Sequence, residues 1–425
     1  MTTAFRARTG RLSALLLLAV LALAACAPNQ KADQQAASSV PDKIVIGSTL
    51  PLTGSESTAG GKQRQGYQLA IDLANKAGGV DVGGKKVPVE LKLLDDTTDQ
   101  AKAVNLAQRL ITQDKVNFFL GTYSTPLSEA QTTVAEQNQI PYVNGGGGAT
   151  SIYSKGYKWI FGTLAPIQNL ATTEMGWIDQ QQVAGKLAKP ARIAVVWENT
   201  SHGKDFRTGI QQFVKAHGTN YKIVLDESFP LDGKDFSGVL SKVRGAKADL
   251  FMVDAHLPDF ITMQRQYLST KMCNQLITYG ARGSEADART ALGQSGVSYI
   301  LSAVWWNKQL GNQGLNKQFI DAFKAKYGTD PEWYQATTYE AARALLTAIT
   351  KAGSVDKTKV RDALSSLKMD SILPGGTLSF PAASGGQASY PFVVQQNLPD
   401  GTAPIIYPAD VATGKGVAPN PSCKG

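Results

Sequence analysis

From Lys43 onward the chain alternates short β-rich runs with amphipathic helical stretches, and this alternation restricts its folding more than any other feature. IVIGSTL, VPVELKLLDD, VNFFLGTYS and IPYVNGG read as strands, and the segments starting near Ala59, Asp99 and Pro126 read as helices. A βαβ succession of this kind predicts a parallel sheet covered on both faces. After FGTLAP the pattern restarts with a long helix from Ile167, then RIAVVWEN, a helix from Lys204, YKIVLDESF, a helix from Asp235, ADLFMVDAH, a helix from Pro258 and QLITYGA. The expected fold class is therefore α/β with two doubly wound halves.

VSYILSAVWW adds a further strand, followed by helices near residues 313–327 and 332–352 and a β-rich tail through GGTLSF and PFVVQQN. The helices after residue 305 have no sheet of their own, so they are expected to return and cover the first half. This predicts a first lobe of residues 42–163 plus 305–377 and a second of 166–301 plus 380–425. The chain would cross between them near 163–166, 300–305 and 376–381. Two lobes joined in this way can close around a ligand by rigid-body rotation.

Upstream, Arg6, Arg8 and Arg11 precede LLLLAVLALAAC, an apolar run short for a membrane span and ending in small residues before a cysteine. Residues 1–25 therefore read as a lipoprotein-type export signal, with Cys26 as the acylated N-terminus. An ordinary secretory signal is the alternative. Residues 26–41 are rich in Gln, Ala and Ser and read as a flexible stalk. The folded part is expected outside the cytoplasm, tethered to the cell envelope, in the periplasm or on the outer face of the cell membrane. The formal charge is +9, and the three leader arginines carry three of those charges. The remaining excess is spread without a basic run, which argues against a nucleic-acid partner. Beyond Cys26 only Cys273 and Cys423 remain, a pair that in an oxidising compartment forms a disulfide or stays as two thiols.

In open parallel sheets ligands bind beyond the carboxyl ends of the strands. The residues there are Ser48, Thr49 and Pro51, then Tyr123, Ser124 and Thr125, then Asn144 and the run from Gly145 through Gly146 and Gly147 to Gly148. The second half supplies Trp197, Asn199, Ser201 and His202, then Asp254 and His256, then Arg282. Hydroxyls and bare glycine amides at helix starts suit a carboxylate, because unpaired N–H groups point at the ligand. The glycine run is followed by no Gly-Lys-Ser/Thr, so it reads as a close-approach turn or a plain loop, not a phosphate loop. GxSxG, HExxH and CxxC are all absent, and no enzyme activity is expected. Of the three histidines, His217 lies at a helix end as a solvated residue, while His202 and His256 face either the cleft or loops. Asp95, Asp96 and Asp99 suggest a metal loop, but Asp99 fits better as a helix N-cap, so neither metal nor cofactor is expected.

The segments IVIGSTLPLTG, YQLAIDLANKAGGV, DDTTDQAKAV and KDFSGVLSKVRGAKADLFMV resemble the branched-chain amino-acid type of solute-binding protein that serves ABC transporters, the leucine-binding-protein-like periplasmic proteins. The likeness runs over nearly all of residues 42–400. It implies a type I periplasmic-binding-protein fold, with two doubly wound parallel-sheet lobes joined by three hinge crossings and a ligand in the cleft. It also implies a monomer that partners an ABC permease in the membrane. The family's carboxylate-gripping hydroxyl falls on Thr125, with Ser124 beside it, and a carbonyl that receives the ligand's ammonium falls near Gly146. The next grip falls on Gly148, which keeps the amide but has no hydroxyl. Two cleft tyrosines of the family correspond to His202 and His256.

The family's acidic partner for the ammonium falls at Arg282, which is a departure. Either Glu285 or Asp287 takes the acidic role after a small shift, or the ligand lacks an ammonium. Tyr123, Trp197, Trp305 and Trp306 stand near strand ends, as cleft walls or as core. The expected function is capture of an amino acid or related small carboxylate by lobe closure, for delivery to an ABC importer. The alternative is a sensor of the same fold signalling through a membrane kinase or chemoreceptor.

Overall fold

In a computed structural model that describes residues 40–311 and 313–423, the apolar runs form two main sheets. The export signal, Cys26 and most of the stalk lie outside the described residues. The first lobe begins β1 (Ile44–Leu50), α1 (Ser57–Lys76), β2 (Val80–Val82), β3 (Lys85–Val87), β4 (Val89–Asp95) and α2 (Gln100–Thr112). It continues β5 (Phe118–Leu120), α3 (Thr125–Gln137), β6 (Tyr142–Asn144), α4 (Thr150–Tyr153) and β7 (Ile160–Gly162). The second lobe runs α5 (Ile167–Val183), β8 (Ala191–Glu198), α6 (Ser201–Ala216), β9 (Tyr221–Phe229), α7 (Ser237–Ala246) and β10 (Leu250–Asp254). It then adds α8 (Leu257–Ser269), β11 (Leu276–Tyr279), α9 (Ala286–Val297) and β12 (Ile300–Val304). The chain next forms α10 (Gly314–Tyr327), α11 (Trp333–Ala352), α12 (Lys357–Ser365) and the hairpin β13 (Lys368–Asp370)–β14 (Thr377–Ser379). It ends with β15 (Val393–Gln396) and β16 (Ile405–Tyr407).

The first sheet has the order β4-β1-β5-β6-β7, parallel throughout. In the second, β9-β8-β10-β11-β12 are parallel and β15 and β16 add an antiparallel edge. Both sheets therefore reverse strand order once, between β1 and β5 in one and between β8 and β10 in the other. These are the switch points where open α/β sheets hold ligands. Helices cover both faces, so the central strands are apolar along their length; all five residues of β10 (LFMVD) are buried.

The helices after β12 do return to the first sheet. α11 packs along α1 and against β6, and fourteen of its side chains are buried. A Cβ at Gly66 of α1 would collide with the Thr338 hydroxyl and the Gln335 carbonyl, so the bare glycine sets how closely these two helices approach. VNFFLGTYS is shorter as a strand than expected, because Gly121 to Ser124 leave the sheet to form its C-terminal rim. The β2–β3 hairpin, α9 and α12 had no strong periodic signal. Trp305 and Trp306 are core residues: their indole N–H groups donate to the Ala165 carbonyl (2.9 Å) and to Asn316 (2.8 Å).

Cys273 and Cys423 form a disulfide, with Cα atoms 5.2 Å apart across a sequence separation of 150 residues. It pins the C-terminal tail beside β11, where Asn420 N–H also donates to the Gln275 carbonyl at 2.8 Å. Replacing both cysteines with serine is expected to lower the unfolding free energy by about 2–4 kcal/mol, since the closed loop is long. Denaturant titration without reductant measures this, and an unchanged midpoint would show that closing the loop contributes nothing.

Candidate functional site

The two switch points face each other. Tyr123, on the rim beyond β5, meets the ring of His256, beyond β10, edge-on at a centroid distance of 5.6 Å. On its other side Tyr123 meets Tyr334 of α11 at 5.5 Å. Ser124 occupies the N-cap position of α3, with Thr125 as its first residue and Pro126 pre-setting the first turn. Around this centre the lobes touch. The Thr150 amide and hydroxyl donate to Asp205 at 2.7 Å and 2.9 Å, and the Ser55 hydroxyl lies 3.3 Å from Asp232. Lys62 Nζ of α1 sits 2.6 Å from Asp287, 2.6 Å from Glu332 and 3.6 Å from Glu285. The arrangement is closed.

The second-lobe wall holds two carboxylate-backed histidines. His202 Nδ1 lies 2.7 Å from Asp254, His256 Nδ1 lies 2.5 Å from Glu198, and the rings are 5.6 Å apart. An ionised carboxylate only accepts, so each Nδ1 carries the proton. Burial disfavours charge on His256, but Glu198 and Glu56 outweigh it and lift its pKa to about 9. Burial likewise works against the Glu198 charge, yet His256 holds its pKa below the usual carboxylate value.

A histidine pKa raised in the fold gives stability that is full below the unfolded value of about 6.5. That stability is lost as pH rises through about 9. The stability difference between wild type and His256→Asn is therefore expected to be largest below pH ~6.5 and to shrink toward pH ~9–10. Denaturation midpoints across that range test it, and a difference that grows with pH would contradict the assignment.

Arg282 is buried at 2% exposure. Its Nε donates to the Ala255 carbonyl at 3.2 Å, and its Nη1 donates to the Tyr334 hydroxyl at 2.9 Å and reaches Glu285 at 3.4 Å. The Tyr334 hydroxyl donates in turn to Glu285 at 2.9 Å. The guanidinium lies over the faces of Trp333 (5.2 Å), Tyr334 (5.7 Å) and Tyr123 (5.9 Å). Burial raises the pKa of Glu285, opposed by Lys62 and Arg282. Arg282 and Glu285 are thus partners in one cluster, while Asp287, the other acidic candidate from the sequence, is a rim residue that holds Lys62.

Tyr123, His256 and Arg282 come together at this centre, with Ser124 and Thr125 buried next to Tyr123 at the start of α3 and His202 next to His256. The glycine run is built into the first lobe. The Gly146 and Gly147 amides donate to Asn144 Oδ1 at 2.9 Å and 3.2 Å, and the Gly147 and Gly148 carbonyls accept from Tyr153 (2.8 Å) and Gln387 (2.9 Å). The Gly146 carbonyl accepts nothing among the described residues. A Cβ on Gly146 would strike the end of Gln63, so the glycine lets that side chain lie across it.

Several sequence candidates lie elsewhere. Trp197 bonds Asp226 at 2.9 Å and stacks under Arg207 on an outer face. His217 stacks on Phe213 at 3.7 Å at the end of α6. Asp99 caps α2 by accepting from Lys102 N–H at 2.7 Å. Asp96 is buried between the Thr49 and Thr122 hydroxyls, each at 2.9 Å, and ties β1 to the β5 rim. Among the described residues one group of three acidic side chains has metal-type spacing, Glu285, Asp287 and Glu332, and Lys62 already bridges it.

Sequence reasoning missed Glu56, Lys62, Gln63, Glu198, Trp333 and Tyr334. Only Glu198 left a signal, as a carboxylate following the apolar run IAVVW of β8. The others lie at the start of α1 or on α11, where only the tertiary packing brings them to the cleft.

From the first lobe, Glu56 Oε1, both amide atoms of Gln63, the Tyr123 hydroxyl and the Thr125 hydroxyl are buried without a partner among the described residues. From the second, Glu198 Oε1 and His256 Nε2 are in the same condition. An unpaired buried polar group costs about 1–3 kcal/mol, and native interiors hold few of them. So many around one cleft make a place for a small polar molecule.

A family model described as periplasmic binding protein matches residues 43–402. A Leu/Ile/Val-binding protein homolog 8 of Brucella abortus (strain 2308) is 25% identical over 379 residues, covering 88% of this chain and 92% of that protein. The branched-chain amino acid transporter substrate-binding protein LivJ of Streptococcus pneumoniae, solved with isoleucine, superposes with a TM-score of 0.73 at 21% identity, over 85% of this chain and 97% of the other. An ABC-transporter solute-binding protein of Rhodopseudomonas palustris, solved with 3,4-dihydroxybenzoic acid, gives 0.71 at 22% identity, over 84% and 93%. Two doubly wound lobes, a polar cleft between their switch points and a family match along almost the whole folded region lead to one conclusion: the chain belongs to the periplasmic binding protein family, as a non-enzymatic, two-lobed solute-binding protein.

Proposed function

We propose that this protein captures a small carboxylate, an amino acid or a related acid, by closure of its lobes and presents it to a membrane ABC permease. The observation that carries the reading is the set of unpartnered buried polar atoms contributed by both lobes to one closed cleft. The Thr125 hydroxyl, with Ser124 beside it at the start of α3, grips the carboxylate from the first lobe. Arg282 reaches it from the second lobe, and the Gly146 carbonyl and Tyr123 complete the near wall. His202 and His256 form the far wall. The lobes pivot where the chain passes between them, near 163–166 and 300–305 and, in place of the expected 376–381, between Ala388, which still pairs with Gly162 of the first lobe, and β15 of the second.

Solved relatives hold isoleucine in one case and 3,4-dihydroxybenzoic acid in another, ligands that share a carboxylate and differ in the ammonium. A buried arginine favours the carboxylate and disfavours the ammonium. A thermal-shift screen of amino acids and carboxylic acids tests the reading, since a ligand that binds only the folded form raises the melting temperature. A panel in which no carboxylate shifts it would refute the proposal.

We further propose that residues 1–25 act as a lipoprotein-type export signal that carries this activity out of the cytoplasm, with Cys26 as the lipid-bearing N-terminus. Cys26→Ser is expected to abolish acylation and release the protein from the envelope. Mass spectrometry of wild-type protein that finds unmodified residues after Ala25 would contradict anchoring.

A further inference from the structure

We infer that the ligand carries, besides its carboxylate, a group that both donates and accepts hydrogen bonds, such as paired hydroxyls or a carboxamide. An aliphatic or bare phenyl end does not meet this requirement. The inference rests on the carboxylate reading above and narrows it. Three unpartnered atoms carry it: Glu198 Oε1 and His256 Nε2 on the second lobe and Glu56 Oε1 on the first, on residues that are 0%, 1% and 3% exposed.

Their chemistry is fixed by their neighbours. Glu198 Oε2 is already bound to His256 Nδ1 at 2.5 Å and accepts the His256 backbone N–H at 3.2 Å, which leaves Oε1 as a pure acceptor. Because that carboxylate accepts the hydrogen bond from Nδ1–H, and Glu198 and Glu56 together favour the charged ring, His256 Nε2 is a donor. Glu56 stands at the N-cap position of α1 with no capping bond from its side chain, and burial raises its pKa against the opposing pull of His256 and Arg282. A carboxyl oxygen from each lobe and one cationic donor are thus buried without partners. A methyl or phenyl edge placed there would leave all three atoms buried and unpaired. A site built for hydrogen bonds rejects an analogue that lacks them far more strongly than an apolar pocket rejects a misfit.

The test uses ligand-free wild-type protein and isothermal titration with two matched pairs, 3,4-dihydroxybenzoate against benzoate and glutamine against leucine. Where neither pair binds, the pair is the tightest acid of the screen and its counterpart stripped of the second polar group. The polar member is expected to bind at least about 100-fold more tightly. Benzoate or leucine binding as tightly as its polar counterpart would overturn the inference while leaving the carboxylate reading intact. Failure of every carboxylate to bind would overturn that reading itself. Glu56→Leu, which breaks no ion pair in the fold, is expected to cut the polar member's advantage at least tenfold, and an unchanged ratio would remove Glu56 from the inference.

Discussion

Replacing Arg282 with methionine is expected to weaken binding of a carboxylate ligand by about 2–5 kcal/mol, with the fold retained. The guanidinium is a permanently charged fork held in place by the Ala255 carbonyl, the Tyr334 hydroxyl and three aromatic faces, so it meets a ligand anion with little reorganisation. Methionine keeps much of the volume and none of the charge. It also leaves Glu285 with Lys62 at 3.6 Å as its nearest cation, which adds a stability cost that a melting curve separates from affinity. A zwitterionic amino acid reverses the pattern: Arg282→Met leaves affinity unchanged or improves it, and Glu285→Gln becomes severe. Asp287 has a side chain 46% exposed, so Asp287→Asn is expected to change affinity by less than about 1 kcal/mol. Isothermal titration of the three variants decides, and unaltered affinity in Arg282→Met would refute the anion reading.

The second large effect concerns closure. Among the described residues Lys62 is the one cation bridging Glu285 and Asp287 of the second lobe with Glu332 of the returning segment, and its pKa is raised because those carboxylates outweigh the cost of burial. Lys62→Met leaves the fully buried Glu285 facing Glu332 with Arg282 as its remaining cation. Breaking one partner of a buried ion cluster typically costs about 3–5 kcal/mol. This cluster spans the lobes, so much of that cost falls on the closed arrangement alone. Apparent ligand affinity is expected to fall by about 10–100-fold, because a smaller closed fraction lowers it in proportion. Small-angle scattering of ligand-free protein should show a larger radius of gyration for Lys62→Met. Scattering and affinity identical to wild type would show that the bridge does not hold the lobes together.

The fold was legible because periodicity and burial coincide. YKIVLDESF is β9 and the helix from Ile167 begins at that residue, and both are long elements with clear boundaries. The return of the 314–352 helices to the first lobe followed from a shortage of sheet to cover them. The cleft was legible only where the rim directly follows a strand, as at Tyr123 to Thr125 and at His256. Glu56, Gln63 and Tyr334 read as ordinary helix residues, because a helix face acquires its role from what packs opposite it. The glycine run illustrates the limit from the other side. Its spacing suggested free amides, but whether an amide is free depends on Asn144, whose Oδ1 takes both the Gly146 and the Gly147 N–H.

Titration of ligand-free wild-type and Thr125→Val protein with the tightest carboxylate from the screen tests carboxylate capture most directly. The Thr125 hydroxyl is buried and unpartnered, so its loss leaves no other buried group unpaired within the protein. The expected result is one-to-one binding by wild type, an affinity at least about 30-fold weaker in Thr125→Val, and ligand recovered chemically unchanged. Equal affinity in the two proteins, or turnover of the ligand, would contradict capture at this cleft.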